Sequence, residues 1–155
     1  MKLINLFFIL SLFICFFSKG QQLNQYYFEE LDSLQKTEPR PVFVFIHTDW
    51  CRYCAKMDVK TFSDTSISIL LNQNFYFVKL NAEQRKPITF KNHTFNFVPK
   101  GLDTGIHELA YELGNINGIL SYPTIVILNS NSEIIGKNDS YLNTKQLLPI
   151  LKSVD

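Results

Sequence analysis

Hydrophobic residues along this chain fall into short runs whose spacing alternates between that of a helix and that of a strand. Residues 23–36 repeat apolar side chains at helical spacing, and Pro39 and Pro41 then end the pattern. The continuous apolar run at 42–46 has the length of a strand that is buried on both faces. A helix is expected next, over residues 51–60. The apolar face of the first helix is predicted to contain Tyr27, Leu31 and Leu34.

A second helix and a second strand follow in the pattern. Ser63 or Asp64 can cap a helix over residues 65–71, because either side chain accepts a hydrogen bond from the free N–H groups at a helix start. Residues 75–80 are aromatic and β-branched, which favours a strand. A right-handed crossover places this strand parallel to the strand at 42–46. The order predicts an α/β domain in which helices flank a central sheet.

Residues 83–105 depart from this alternation, and we interpret them as an insertion. The stretches 88–90 and 94–97 alternate apolar with polar side chains around a turn at 91–93, which predicts a β-hairpin with one apolar side. A short helix is expected over 107–113. The apolar side of the hairpin is predicted to carry Phe90, Phe95 and Phe97.

The last third of the chain predicts two more strands and a helix. The apolar run at 125–128, the polar turn at 129–132 and a strand beginning at 133–136 predict an antiparallel pair, which makes the sheet mixed. Thr144 can cap a final helix, and Pro149 inside it is expected to kink or shorten the helix. The sheet-facing side of that helix is predicted to be Leu147, Leu148 and Leu151.

The first twenty residues have the features of a secretory signal peptide. A basic residue at Lys2, an apolar run over 6–17 and small residues before Gln21 fit such a leader. The alternative is a retained anchor, but an apolar run of about 12 residues falls short of the roughly 20 that span a bilayer. We therefore predict a leader at 1–20 and one mature domain at 21–155, without stable membrane insertion.

Loss of this leader changes both the charge and the cysteine content. Lys2, Lys19 and Cys15 would leave with it, so that 13 basic residues face 14 acidic ones and the net charge is −1. With no basic patch, the sequence gives little support to nucleic-acid binding. The mature chain keeps two cysteines, Cys51 and Cys54, which leaves no further pair for a structural disulfide.

These two cysteines are the candidate chemistry. Cys51 is predicted where a buried strand turns into a helix, and the free N–H groups of a helix start favour a thiolate. Two intervening residues allow a small, reducible disulfide with Cys54. The alternative is that the two cysteines are inert or form half of a zinc site. Zinc sites usually have four ligands, so two more would be needed. The histidines that could complete such a set are His47, His93 and His107.

Two motifs resemble the thioredoxin superfamily, and together the resemblance covers about residues 25–155. The first is Trp-Cys-Arg-Tyr-Cys-Ala-Lys-Met at 50–57 after a strand, and the second is Ser-Tyr-Pro-Thr at 121–124 before one. The longer run from the first motif through Thr-Phe-Ser-Asp at 61–64 resembles exported thioredoxin-like domains that relay reducing equivalents. The resemblance implies a thioredoxin-like fold with a cis-proline loop. Residues 83–105 depart from the family pattern, and we interpret them as an insertion before that loop, packed beside the active site.

The resemblance also implies roles for individual residues. Cys51 would be the exposed nucleophile and Cys54 the resolving thiol. The Tyr122–Pro123 bond would be cis and lie across from Cys51, where the Tyr122 backbone can pair with substrate; a proline that simply opens a strand is the alternative. Trp50 would shield the dithiol. The residues expected to tune the site or bind substrate are Trp50, Arg52, Tyr53, Tyr122 and Pro123.

One departure from the family concerns proton transfer. Phe45 stands where thioredoxin has a buried acid, so the usual proton acceptor for the resolving thiol is absent. His47, on the same strand end, either tunes the site or is an ordinary scaffold histidine. The candidate acids to replace the missing one are Asp49, Asp58 and Glu108.

We therefore predict an exported thiol:disulfide oxidoreductase that acts on protein thiols and disulfides and exchanges electrons with a membrane redox partner. Its expected location is a bacterial periplasm, or otherwise outside the cell. We predict neither a cofactor nor a bound metal. The alternative is a non-catalytic module that keeps the thioredoxin fold and holds peptides with the hairpin and the Pro123 loop.

Overall fold

The computed structural model describes residues 22–154, and the leader predicted at 1–20 lies outside them. A π-helical turn, Met57–Thr61, directly follows the helix Arg52–Lys56. In chain order the elements are α1 (Phe28–Thr37), β1 (Val42–His47), α2 (Arg52–Lys56), α3 (Thr65–Asn74), β2 (Tyr76–Asn81), β3 (Ile88–Phe90), β4 (His93–Phe95), β5 (Phe97–Pro99), β6 (Gly105–His107), α4 (Glu108–Gly114), β7 (Thr124–Leu128), β8 (Ile134–Asn138) and α5 (Thr144–Lys152).

The central sheet is mixed and has the strand order β2-β1-β7-β8. Strand β1 pairs parallel with β2 and antiparallel with β7, and β7 pairs antiparallel with β8. Residues 42–46 are all fully buried, as a continuous apolar run predicts for a strand covered on both faces. The predicted fold class, an α/β domain with helices around a central mixed sheet, is confirmed.

Alternate side chains of β1 enter two separate cores. Val42, Val44 and Ile46 pack with residues of α1 and α4 on one face of the sheet. Phe43 and Phe45 pack on the other face, together with both cysteines and residues of α3 and α5. We call this second side the dithiol face, and the side under α1 and α4 the opposite face.

Helix α1 begins later than the periodicity of residues 23–36 predicted. The Tyr26 N–H donates to the Phe77 carbonyl at 2.9 Å, so the chain first runs extended along β2. Tyr27, predicted on the apolar face, instead caps the helix and is 61% exposed. Phe28 and Leu31 supply the buried face, and the helix ends before Pro39 as expected.

The segment predicted as one hairpin forms two. Strands β3 and β4 are joined by Lys91 and Asn92, both at positive φ, which is the two-residue turn that favours tight hairpins. His93 is therefore in a strand and not in the turn. At Asn96 the backbone leaves this pairing, because its N–H and carbonyl both bond Glu108. Phe97 consequently belongs to a second hairpin, β5–β6.

The first hairpin packs on the opposite face of the sheet from the dithiol. Ile88 and Phe90 are buried in the core under α1, and the Phe90 ring lies edge-on to Phe28 with centroids 5.1 Å apart. The expectation that the hairpin's apolar side lies beside the active site is therefore wrong for Phe90. This hairpin extends the hydrophobic core under α1.

The other helix boundaries follow local capping. Asp64 caps α3 by accepting the Ser66 N–H at 2.9 Å, as predicted. Asn143, and not Thr144, caps α5, because it forms a reciprocal capping box with Gln146. Helix α5 continues through Pro149 to Lys152, so the proline does not shorten it. The buried residues of this helix are Leu147 and Leu151, with Leu148 half-buried beside them.

Candidate active site

The turn from β1 into α2 places Cys51 at the helix start. The Cys51 N–H donates to the Thr48 carbonyl at 3.2 Å, and Cys51 has extended φ and ψ angles, as an N-cap residue does. Its sulfur accepts the Cys54 N–H at 3.1 Å, and its carbonyl accepts the Ala55 N–H. Cys51 is thus held at the first turn of α2 with its sulfur directed at a free backbone N–H.

The two cysteines form a disulfide with an S–S distance of 2.05 Å. Both are buried, Cys51 with 6% of its surface exposed and Cys54 with 2%. The prediction that Cys51 is openly exposed is therefore not met, although it is the more exposed of the two. The reason is that the pair lies in the core of the dithiol face, against Met57 and Phe62.

An aromatic pair lies at the mouth of this site. The Trp50 side chain is 65% exposed, and its ring lies edge-on to Tyr122 with centroids 5.7 Å apart. Tyr122 packs against the core that contains both cysteines, and the Tyr122–Pro123 peptide bond is cis. The structure thus brings Trp50, Tyr122 and the dithiol together from two distant parts of the sequence.

The two residues between the cysteines lie on the exposed surface of α2. Arg52 and Tyr53 are both exposed on α2. The Tyr53 ring lies 5.9 Å from that of Tyr141, and the Lys56 ammonium lies 4.9 Å above Tyr141. Beside the dithiol, α2 and the loop that carries Tyr141 therefore form a surface that combines aromatic rings with positive charge.

The three acids proposed to replace the missing one lie in different places. Asp49 accepts a hydrogen bond from Asn81, and Glu108 bonds the Asn96 backbone at the start of α4. Asp58 lies on the π-helical turn, one helical turn after Cys54, and pairs with Lys79 at 2.8 Å. Asp58 therefore lies on the dithiol face, on the same helical segment as Cys54.

Lys79 links this ion pair to the position of the missing acid. It pairs in register with Phe45, which is fully buried, and its ammonium lies 6.0 Å from the centre of the Phe45 ring. His47 stacks on the same ring, at 5.8 Å. Burial, followed by the positive charge of Lys79, lowers the pKa of His47 and favours its neutral form.

The other two histidines are not near the dithiol in any contact that the structure shows. His107 is fully buried and caps α4, with Nδ1 accepting the Leu109 N–H at 3.3 Å. Burial lowers its pKa. His93 is exposed against the Phe95 ring. Within residues 22–154 no three His, Cys, Asp or Glu side chains are close enough together to hold a metal.

Sequence reasoning missed Glu83. Its carboxylate accepts a hydrogen bond from the Trp50 indole, with both oxygens at 3.1 Å from Nε1. The sequence does place this acid just after β2. Because β1 and β2 are parallel and end at the same edge of the sheet, an acid there is expected near the residues that follow β1. That signal does not identify Trp50 as the partner.

A reducible disulfide at the first turn of a helix, after a central strand and beside a cis-proline loop, defines a thioredoxin-fold dithiol protein. The sequence matches the family profile of the thioredoxin-like domain over residues 27–155. The chain therefore belongs to the thioredoxin-like domain family, and the resemblance inferred from its motifs is confirmed. No curated protein matches the chain.

Solved structures agree with this assignment. DsbH oxidoreductase is similar with a TM-score of 0.60 at 16% identity, over 86% of this chain and 84% of that one. A thioredoxin from Thermus thermophilus has a TM-score of 0.60 at 23% identity, over 85% and 86%. The reduced C-terminal domain of DsbD from Neisseria meningitidis has a TM-score of 0.55 at 15% identity, over 82% and 92%. At these identities the similarity shows the fold.

Across the part of the chain that the structure describes, no helix is both long and apolar enough to span a bilayer.

Proposed function

We propose that this protein is an exported thiol:disulfide oxidoreductase that acts on protein substrates through a mixed disulfide. The observation that carries the proposal is the Cys51–Cys54 disulfide at the start of α2, with the Cys51 sulfur already accepting a backbone N–H at 3.1 Å. The same hydrogen bond would stabilise a Cys51 thiolate after reduction. The family supports thiol:disulfide chemistry in general.

In the proposed reaction, the reduced protein starts as the Cys51 thiolate. It attacks one sulfur of a substrate disulfide; a new S–S bond forms to Cys51, the substrate bond breaks, and one substrate sulfur leaves as a thiolate. Cys54 then gives up its proton to solvent or to a neighbouring base, and its sulfur attacks the Cys51 sulfur. The Cys51–Cys54 bond forms, the bond to the substrate breaks, and the second substrate sulfur leaves as a thiolate. Two electrons pass to the substrate, and the protein is left with its Cys51–Cys54 disulfide. The reverse sequence oxidises a substrate dithiol.

The order of the two cysteines follows from their positions. Cys51 is the more exposed sulfur and lies beside the Trp50–Tyr122 pair, where a substrate can approach. Cys54 lies deeper, one turn along the helix, where it reaches Cys51 but not an incoming protein. The cis peptide bond at Pro123 follows Tyr122 and supports the role that the family resemblance implies for this loop.

We further propose that the protein acts outside the cytoplasm, in a bacterial periplasm, and exchanges electrons with a membrane redox partner. The leader-like residues 1–20 support export. The fold that the chain shares with DsbH and the DsbD domain is compatible with such a partner.

Trapping experiments test the proposed nucleophile. A Cys54→Ser variant expressed at its natural location should accumulate mixed disulfides, because the resolving step is blocked; these appear as shifted bands on non-reducing gels. The matched Cys51→Ser variant keeps one cysteine of the same motif and should trap none. Equal trapping by the two variants would overturn the assignment of Cys51 as nucleophile.

The alternative, a non-catalytic binding module, is favoured by one feature of the site. Both sulfurs are buried, whereas Trp50 and Tyr53 are exposed and available for contacts. Insulin reduction by the mature domain separates the two functions. Turnover that is lost in Cys51→Ser supports the oxidoreductase, and a wild-type protein that binds peptides without reducing insulin supports the module.

A further inference from the structure

Glu83 anchors a side chain that is otherwise mostly in solvent. Trp50 is 65% exposed, and its indole Nε1 donates to the Glu83 carboxylate, with both oxygens at 3.1 Å. A hydrogen bond to a charged acceptor is among the stronger side-chain interactions on a protein surface. The second contact of the indole is the edge-on ring of Tyr122. Together the two contacts fix the position of the ring beside Cys51.

The backbone around Glu83 is itself held in place. The Ala82 N–H donates to the His47 carbonyl at 2.8 Å, which extends the pairing of β1 and β2 by one bond. The Glu83 N–H then donates to the Asn81 side-chain oxygen at 2.9 Å. The amide nitrogen of Asn81 donates to Asp49 at 2.9 Å. Asn81 thus connects Asp49, the residue before Trp50, to Glu83, which binds the Trp50 indole. These bonds hold Glu83 in place before any substrate binds.

Resting on the thiol:disulfide exchange proposed above, we propose that Glu83 is a positioning residue. It holds the Trp50 indole across Tyr122 and thereby fixes the surface on which a protein substrate docks beside Cys51. Glu83 acts through Trp50 and does not touch the reacting sulfurs. Small disulfides do not need this surface, so its loss affects protein substrates selectively.

The field of the Glu83 carboxylate also reaches the same aromatic pair. Burial, and after it the negative charge of Glu83, raises the pKa of Tyr122 to about 12. A carboxylate here therefore has two separable effects, a hydrogen bond to Trp50 and a negative charge near the site. Glutamine at position 83 keeps an acceptor oxygen but removes the charge, whereas alanine removes both.

The variants Glu83→Gln and Glu83→Ala separate these effects, with Glu112→Ala as a matched control in an exposed acid on α4. Trp50 is the only tryptophan in the chain, so its fluorescence reports this site directly. We would measure its anisotropy and its quenching by acrylamide. The kinetic readouts are KM and kcat for insulin reduction, and the rate with the small neutral disulfide of 2-mercaptoethanol.

We expect Glu83→Ala to lower the anisotropy and to increase quenching. Its KM for insulin should rise roughly three- to tenfold, the range that follows from losing one hydrogen bond. The kcat and the rate with the small disulfide should stay close to wild type. Glu83→Gln should restore both the anisotropy and the KM, and Glu112→Ala should match wild type throughout.

Two outcomes would overturn the positioning role. The first is a Glu83→Ala variant with wild-type anisotropy and wild-type KM for insulin. The second is a Glu83→Gln variant as impaired as Glu83→Ala, with Trp50 still held, which would show that the charge acts on the site directly. If the wild-type protein does not reduce insulin, the proposed oxidoreductase function fails, and the anisotropy series still decides whether Glu83 anchors Trp50.

Discussion

Replacing Phe90 by alanine tests whether the β3–β4 hairpin belongs to the hydrophobic core or to the substrate surface. Phe90 is 7% exposed, packs edge-on against Phe28 and lies on the opposite face of the sheet from the dithiol. Truncation of a buried phenylalanine costs about 3–5 kcal/mol of unfolding free energy. The ring lies at the margin of the core, on a three-residue strand, so we expect the lower end, about 3 kcal/mol.

Urea unfolding measures this cost. With an m-value of about 2 kcal/mol/M, typical of a small domain, the midpoint should fall by about 1.5 M. The variant should still fold, because domains of this kind usually have about 5–15 kcal/mol of stability. Phe97→Ala is the control: its half-buried ring lies in the β5–β6 hairpin and should cost about 1 kcal/mol.

Activity distinguishes the two roles of the hairpin. Under conditions where it is folded, Phe90→Ala should reduce insulin and a small disulfide at wild-type rates, because the ring does not face the dithiol. A variant with wild-type stability that has selectively lost activity on insulin would refute this reasoning. It would show that the hairpin serves the substrate.

Three further predictions concern protons and redox poise. Because burial lowers the folded-state pKa of His107, its contribution to stability should be complete above about pH 6.5 and be lost as pH falls through the folded pKa. As the pH is lowered from about 7.5 to about 5, the urea midpoint should therefore fall more steeply for wild type than for His107→Asn. Asp58→Asn should slow resolution of the mixed disulfide at neutral pH, and the rate should recover at higher pH. The control Asp103→Asn, at an exposed acid, should resolve it at the wild-type rate. Equal resolution rates for Asp58→Asn and wild type would show that Asp58 does not take part in proton transfer. The hydrogen bond to the Cys51 sulfur favours the thiolate, and Phe45 stands in place of an acid whose negative charge would oppose it. Glutathione equilibration should therefore give a potential between roughly −270 and −120 mV, and a value at or below roughly −270 mV would contradict this reasoning.

Local patterns predicted the central sheet and the place of the dithiol because each depends on neighbouring residues. The continuous apolar run at 42–46 predicted a strand buried on both faces, and the residues after it predicted Cys51 at a helix start. The cap at Asp64 needed nothing beyond the two residues that follow it. These elements are decided by spacing and propensity, which are visible in the sequence.

The errors occurred where distant residues decide the local structure. The alternation of apolar residues continues across Asn96, so sequence alone joins Phe95 and Phe97 in one hairpin. The break comes from Glu108, twelve residues away, which bonds both backbone groups of Asn96. Likewise, the start of α1 is delayed by a bond from Tyr26 to β2. Hydrophobic periodicity carries no information about such partners.

The ion pair between Lys79 and Asp58 places an acid on the dithiol face, although Phe45 occupies the position where thioredoxin has a buried acid. Phe45 leaves the centre of the dithiol face apolar, but its register partner on β2 is Lys79, and Lys79 draws in Asp58 from the π-helical turn after Cys54. Both side chains of this pair keep contact with solvent, at 24% and 37% exposure, so ionising them costs far less than ionising an acid at position 45. Asp58 thus lies one helical turn from Cys54 and is paired with a lysine, without a carboxylate buried in the core. We therefore expect the proton of Cys54 to pass to Asp58, on its own helical segment, and not to a residue of β1.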